Sequence, residues 1–274
     1  MVGLLAVLFA DFACGQMKQN PSPMVEHRRA HPRLAESKPS GERFVLSVGS
    51  LFVPPHPRGL LVFFHGGKWL PEAAAARNRM AAISVQIGAG SGVYSAAFQD
   101  IARFAQLLEE AESKAGRKFR RITIGGWSAG CGALRSILRH RPAYERIDAV
   151  LCIDGMHTGY VDGAPGPLES RIDGAPLAVW RDLGRDAIAR RKRFLVTHSE
   201  IFPGTFASTT ETADWLLSEL GLKARPVLRW GPMGTQQTSS SKAGKFELRG
   251  YAGNSAPDHV DQLHSLADYI RALW

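Results

Sequence analysis

The sequence predicts an α/β protein built on a mostly parallel, doubly wound sheet, and three observations carry that expectation. Short runs rich in β-branched and aliphatic residues recur along the chain. Several are apolar without alternation, as strands covered on both faces must be. Segments with a helical apolar period stand between them, and strand alternating with helix is the signature of helices packed on both sides of a parallel sheet. With 274 residues, 45% of them hydrophobic, the chain can bury one large core.

Residues 1–14 (MVGLLAVLFADFAC) are apolar but too short to span a bilayer, and they lack the basic start of a well-formed export signal. They read as a shortened export signal or, equally, as a plain leader. Cys14 before Gly15 faintly resembles a lipoprotein cleavage box, so a secreted, periplasmic or lipid-anchored location, with membrane attachment through Cys14, is favoured over a cytoplasmic one. Residues 15–41, rich in Pro, Ser, Lys, Arg and His, read as a linker that cannot bury enough apolar surface to order itself. The folded unit is expected over 42–274.

Within that unit, strands are expected over 44–53, 59–64, 83–87, 121–125, 149–154, 193–197, 226–230 and 246–251. Ile101, Phe104, Ala105 and Leu108 mark one face of a helix that stops near Gly116, and Leu134, Ile137 and Leu138 stripe a second. A basic amphipathic stretch follows over 177–190. Ser208-Thr-Thr-Glu211 has the form of a capping box opening a helix through Leu217, and Val260, Leu263, Ala267 and Ile270 stripe a terminal helix. There is no internal repeat.

The formal charge is +9, from 34 Lys and Arg against 25 Asp and Glu. These cations are spread along the chain, without a dense tract interleaved with aromatics, which argues against nucleic acid as a partner. The field of such a chain can still draw anionic substrates or surfaces. Three cysteines give no disulfide framework, and Cys131 and Cys152 fall in patterns that read as core.

The strongest local signal is Arg121-Ile-Thr-Ile-Gly-Gly126-Trp-Ser128-Ala-Gly130-Cys131, where G-x-S-x-G follows a β-branched run and opens a helix. A serine in such a tight turn projects its hydroxyl above the sheet, and the flanking glycines avoid clashes with the crossing backbone. The helix start presents unpaired N–H groups and a positive dipole end, so the amide of Ala129 is placed to meet charge developing on a substrate oxygen. His65-Gly66-Gly67-Lys68-Trp69 follows another buried strand, and Gly66 or Gly67 could give a second amide. A serine hydroxyl needs a base. His259, in a loop of turn formers before the last helix, fits better than His264 inside it. The acid is Asp154, at the end of the strand after the elbow, or Glu200, just beyond the next strand. Asp154 is preferred because its short side chain ends a strand directly and Gly155 gives a tight exit, whereas Asp258 points the wrong way.

His65-Gly66-Gly67 after a strand, Gly126-Trp-Ser128-Ala-Gly130 at an elbow and the late His259 resemble the α/β-hydrolase superfamily over roughly 44–274. The resemblance implies the α/β-hydrolase fold, with about eight strands, and acyl transfer to Ser128 followed by hydrolysis. It also extends to uncharacterised bacterial members with Asp154-Gly-Met-His157 and Thr197-His-Ser199 stretches. His157 and His198 each follow a strand on the nucleophile's rim and are expected to line the cleft, with Trp69, Trp127 and Tyr160 as an apolar wall. No metal ligand set has suitable spacing, and serine chemistry needs no cofactor. The leading substrate is a carboxylic ester of a small molecule or polymer. A serine peptidase or amidase uses the same groups, and a binding protein that kept the fold but lost turnover is the reading from another class.

Overall fold

The computed structural model describes residues 34–161 and 171–274. The expected export segment, Cys14 and most of the expected linker lie outside them. Among the described residues ten strands form one sheet: β1 (Glu42–Val45), β2 (Ser50–Val53), β3 (Leu60–Phe64), β4 (Ala81–Val85), β5 (Ile122–Trp127), β6 (Ala149–Ile153), β7 (Arg193–His198), β8 (Arg225–Trp230), β9 (Gln236–Ala243) and β10 (Phe246–Tyr251). Their order is β1-β2-β4-β3-β5-β6-β7-β10-β9-β8. The run from β4 to β10 is parallel throughout, and the antiparallel pairs sit at the two edges.

The unalternating apolar strands now have a cause. Along β3, Val62 and Phe64 enter one core while Leu61 and Phe63 enter the other, and all four are buried. The first core is closed by α2 (Ser91–Ala97), α3 (Ile101–Lys114), α4 (Cys131–Ile137), α6 (Ala178–Ile188) and α7 (Thr209–Glu219), with Tyr94, Phe104, Leu134, Trp180 and Leu216 buried in it. The second is closed by α1 (Trp69–Arg77), α8 (Ala256–His264) and α9 (Leu266–Leu273), through Leu70, Leu263 and Ile270. Fully burying such side chains is worth about 1.5–3 kcal/mol each, which drives both layers onto the sheet.

Several elements depart from the sequence expectation. The single run expected over 44–53 is a hairpin of β1 and β2, turned at Gly49 with φ 85°. Polar β9 (QQTSSSKA) carries no apolar signature and is held by its ladders to β10 and β8. Helix α1 is rich in alanine without an apolar stripe, and α2 and α5 (Arg141–Arg146) are too short to show a period. The expected terminal helix breaks at Ser265, whose hydroxyl bonds back to the Asp261 carbonyl at 2.8 Å. Among the described residues no helix is long and apolar enough to cross a membrane.

Because β3, β5, β6 and β7 run in parallel, their carboxyl ends share one rim. The chain leaves that rim at His65, Ser128, Asp154 and Ser199, and it returns there after β10 to enter α8. This is where ligands meet a doubly wound sheet.

Candidate active site

The turn after β5 is built by close backbone approach. Ser128 has φ 50°, a left-handed conformation that is costly for a residue with a side chain. A Cβ on Gly126 would lie 2.8 Å from the Gly130 carbonyl carbon, and one on Gly130 only 2.0 Å from the Phe64 oxygen. Both positions therefore exclude any larger residue. Below the turn, the Cys131 thiol donates to the Gly126 carbonyl at 3.2 Å and lies 3.1 Å from Cys152 Sγ. Both are buried free thiols, and burial pushes that of Cys131 well above its ordinary pKa.

Asp154 also adopts a left-handed turn, at φ 44°, and is buried. His259 Nδ1 lies 2.7 Å from its Oδ2. The Ser199 hydroxyl donates to the same oxygen at 2.7 Å, while the Ser199 amide and the Thr209 hydroxyl donate to Oδ1 at 2.9 and 2.6 Å. Burial alone would raise this carboxyl; His259 and the two hydroxyls instead hold it well below the usual carboxylate range. Glu200 is elsewhere. It is exposed, its amide donates to the Gly253 carbonyl at 3.0 Å, and its Oε2 accepts from the Gly253 amide at 3.4 Å, so it fastens the loop before α8.

His259 sits in the first turn of α8, whose N-cap Ser255 forms a capping box with Asp258. Asp258 is thus occupied at the helix entrance. The Trp127 indole lies 4.5 Å from the His259 ring and donates its N–H to the His259 carbonyl at 3.0 Å. His65 stacks on Trp127 at 5.1 Å, with its Nδ1 3.1 Å from the Tyr94 hydroxyl. Burial and then the nearby His259 lower the pKa of His65.

Ser128, Asp154 and His259 line one cavity of about 140 Å³, together with His157, Ser199 and Phe206. Among the described residues no hydrogen bond joins the Ser128 hydroxyl to His259. Such contacts commonly tighten only once substrate is held. A wider cleft of about 690 Å³ shares Ser128, His157 and Phe206 and continues past Ala129 to Arg135 and Gly90. Gly66 sits at φ 104° with its amide donating to Gln86 Oε1 at 2.8 Å, and Gly67 beside it is exposed.

Of the residues expected in the cleft, His157 lines both cavities, and burial pushes its ring down to about 4. Trp127 serves the His259 backbone and ring. Trp69, Tyr160 and His198 lie outside both cavities. Trp69 packs edge-on to His264 at 5.7 Å, the Tyr160 hydroxyl bonds Glu211 at 3.0 Å, and buried His198 lies 3.2 Å from the Thr210 hydroxyl. Sequence reasoning missed Ser199, Thr209, Gln86 and Arg135. Ser199 was legible only as a polar residue leaving a strand, and Thr209 only as part of a capping box. Among the described residues no group of three or more His, Cys, Asp or Glu side chains could hold a metal ion.

No protein-family model matches the chain, and no curated protein matches it. Among solved structures, it is similar to a carboxylesterase from Bacillus subtilis, 12% identical with a TM-score of 0.47, covering 85% of this chain and 91% of that one. It is also similar to a poly(3-hydroxybutyrate) depolymerase from Bordetella parapertussis, 12% identical, TM-score 0.45, covering 82% and 83%. An acetyl xylan esterase from Aspergillus awamori is 14% identical, TM-score 0.45, covering 80% and 93%. Strand order, strand direction and the turn at Ser128 give this chain the α/β-hydrolase fold.

Proposed function

We propose that residues 42–274 form a serine hydrolase that cleaves carboxylic esters through an acyl-enzyme on Ser128, with His259 as general base and Asp154 as its orienting acid. The observation that carries this reading is the 2.7 Å contact between Asp154 Oδ2 and His259 Nδ1 on the cavity that Ser128 also lines. A carboxylate on Nδ1 fixes the proton there and leaves Nε2 as the acceptor for a serine proton. Ser128 attacks the ester carbonyl as His259 takes its proton. The amides of Ala129 and Gly67 receive the oxyanion, since the Gly66 amide is already engaged by Gln86. The tetrahedral intermediate collapses as His259 gives its proton to the leaving alcohol, and water then releases the acid by the same route.

The test is hydrolysis of p-nitrophenyl esters of increasing acyl length, beside amide analogues, by wild type and Ser128→Ala. Ester turnover in the wild type, abolished in a variant with an unchanged melting profile, is the expected result. Unchanged turnover in Ser128→Ala, or failure of folded wild type both to turn over esters and to be labelled by a serine-directed phosphonate, overturns the reading.

A further inference from the structure

Arg135 stands out because, among the described residues, its charge has no counterpart. It lies on α4, seven residues beyond Ser128, and helps line the 690 Å³ cleft that begins at Ser128. Its Nε is enclosed without a hydrogen-bond partner. Nη1 reaches the His157 carbonyl at 3.3 Å and Nη2 the Ser95 hydroxyl at 3.5 Å, both long and neutral. Among the described residues no carboxylate forms an ion pair with it, and the charged neighbour that acts on it most strongly is Arg139, of the same sign. Burial and this repulsion lower its pKa. A half-buried guanidinium without an anion is an expensive arrangement, since desolvation is not recovered through pairing. Chains keep such groups where a ligand completes them.

We propose that Arg135 is the anion-recognition residue of this cleft and that the substrate is an ester whose acyl group carries a carboxylate at its far end. The inference rests on the reading of Ser128 and His259 as nucleophile and base. His259 must deliver its proton to the departing alcohol, so the alcohol lies toward the small cavity on the His259 side. The acyl group then takes the wide cleft on the Ala129 side, where Arg135 is found. Phe206 and Pro176 give that cleft apolar walls for a short aliphatic spacer. A single planar fork suits a carboxylate, which it grips with two parallel hydrogen bonds; a phosphate dianion would call for a second cation, and Arg139 does not line this cleft. The net charge of +9 draws anionic esters toward the molecule over longer range.

The experiment compares monomethyl succinate, glutarate and adipate with methyl butanoate, pentanoate and hexanoate, and includes 4-acetoxybutyrate, which carries its carboxylate on the alcohol. Acid release is followed at constant pH for wild type, Arg135→Gln and Arg135→Lys. The expected result is a wild-type kcat/KM preference of about tenfold or more for the acyl-side anion at its best spacer length. Arg135→Gln removes that preference, and Arg135→Lys keeps only part of it. No preference in a wild type that cleaves neutral esters, a preference for 4-acetoxybutyrate instead, or a preference that survives in Arg135→Gln overturns the subsite and leaves the hydrolase reading standing. Calorimetric binding of glutarate to Ser128→Ala, with and without Arg135→Gln, decides the subsite even where no ester is turned over. Binding that depends on Arg135 supports it, and no binding overturns it.

Discussion

Replacing Asp154 by Asn separates charge from shape at the centre of the site. The carboxylate accepts four hydrogen bonds: from the Ser199 amide and Thr209 hydroxyl at Oδ1, and from the Ser199 hydroxyl and His259 Nδ1 at Oδ2. The Ser199 amide can only donate, so the asparagine oxygen must take the Oδ1 place and its NH₂ group the Oδ2 place. The Ser199 hydroxyl can turn to accept. The imidazole can accept at Nδ1 only by moving its proton to Nε2, and then it has no lone pair for Ser128. The fold survives while the base is in the wrong tautomer. A comparable Asp-to-Asn change in a serine protease lowers kcat on the order of 10⁴-fold, about 5.5 kcal/mol of barrier. The same order is expected for Asp154→Asn, measured as kcat on the best p-nitrophenyl ester, with a melting temperature shifted by only a few degrees. A kcat within about tenfold of wild type, in folded protein, would refute Asp154 as the orienting group and with it the tautomer argument.

His157 is held neutral by burial, with its pKa near 4 against about 6.5 in an unfolded chain, so stability is expected to fall as pH drops from about 6.5 toward 4, by about 3 kcal/mol. Denaturant titrations across that range should show a shallower acid slope for His157→Gln; the lowered rings of His65 and His198 act in the same direction and keep the slope from vanishing. Gly130→Ala drives a methyl group to 2.0 Å from the Phe64 carbonyl, so it is expected to cost about 3 kcal/mol or more and to lower soluble yield, and a melting temperature equal to wild type would contradict the close approach.

The parts of the fold that were legible are those in which one local cause decides the outcome. β3, β5, β6 and β7 are buried on both faces, and their apolar runs say so without any knowledge of their partners. β9 exists only because β8 and β10 flank it, and nothing in QQTSSSKA carries that information. The glycines around Ser128 are likewise local, since each is required by a backbone a few residues away or one strand over. Side-chain direction is not local. Trp69, Tyr160 and His198 stand near rim loops in sequence, yet their rings turn into packing or toward Glu211 and Thr210. Arg135 was hidden for the opposite reason: an arginine on a helix ordinarily snorkels to solvent, and only the loop carrying His157 and helix α2 carrying Ser95 make this one face a cleft.

The choice between Asp154 and Glu200 depended on where the chain goes after β7, which no local pattern states. It leaves β7 through Ser199, whose amide and hydroxyl both point at Asp154, and then runs to α7, whose first residue Thr209 adds a third donor. The segment after β7 therefore supplies the partners of Asp154, and Glu200 is turned outward to hold Gly253. This division has a physical logic. An aspartate at φ 44° is strained, and such a turn persists only where its surroundings over-determine it. Two donors from Ser199, one from α7 and one from α8 do so, and His259 with the two hydroxyls keeps the carboxylate ionised although it is buried. Ser199 and Thr209 are thus positioning residues in the proposed mechanism: they touch no substrate, but they fix the carboxylate that in turn fixes the proton on His259.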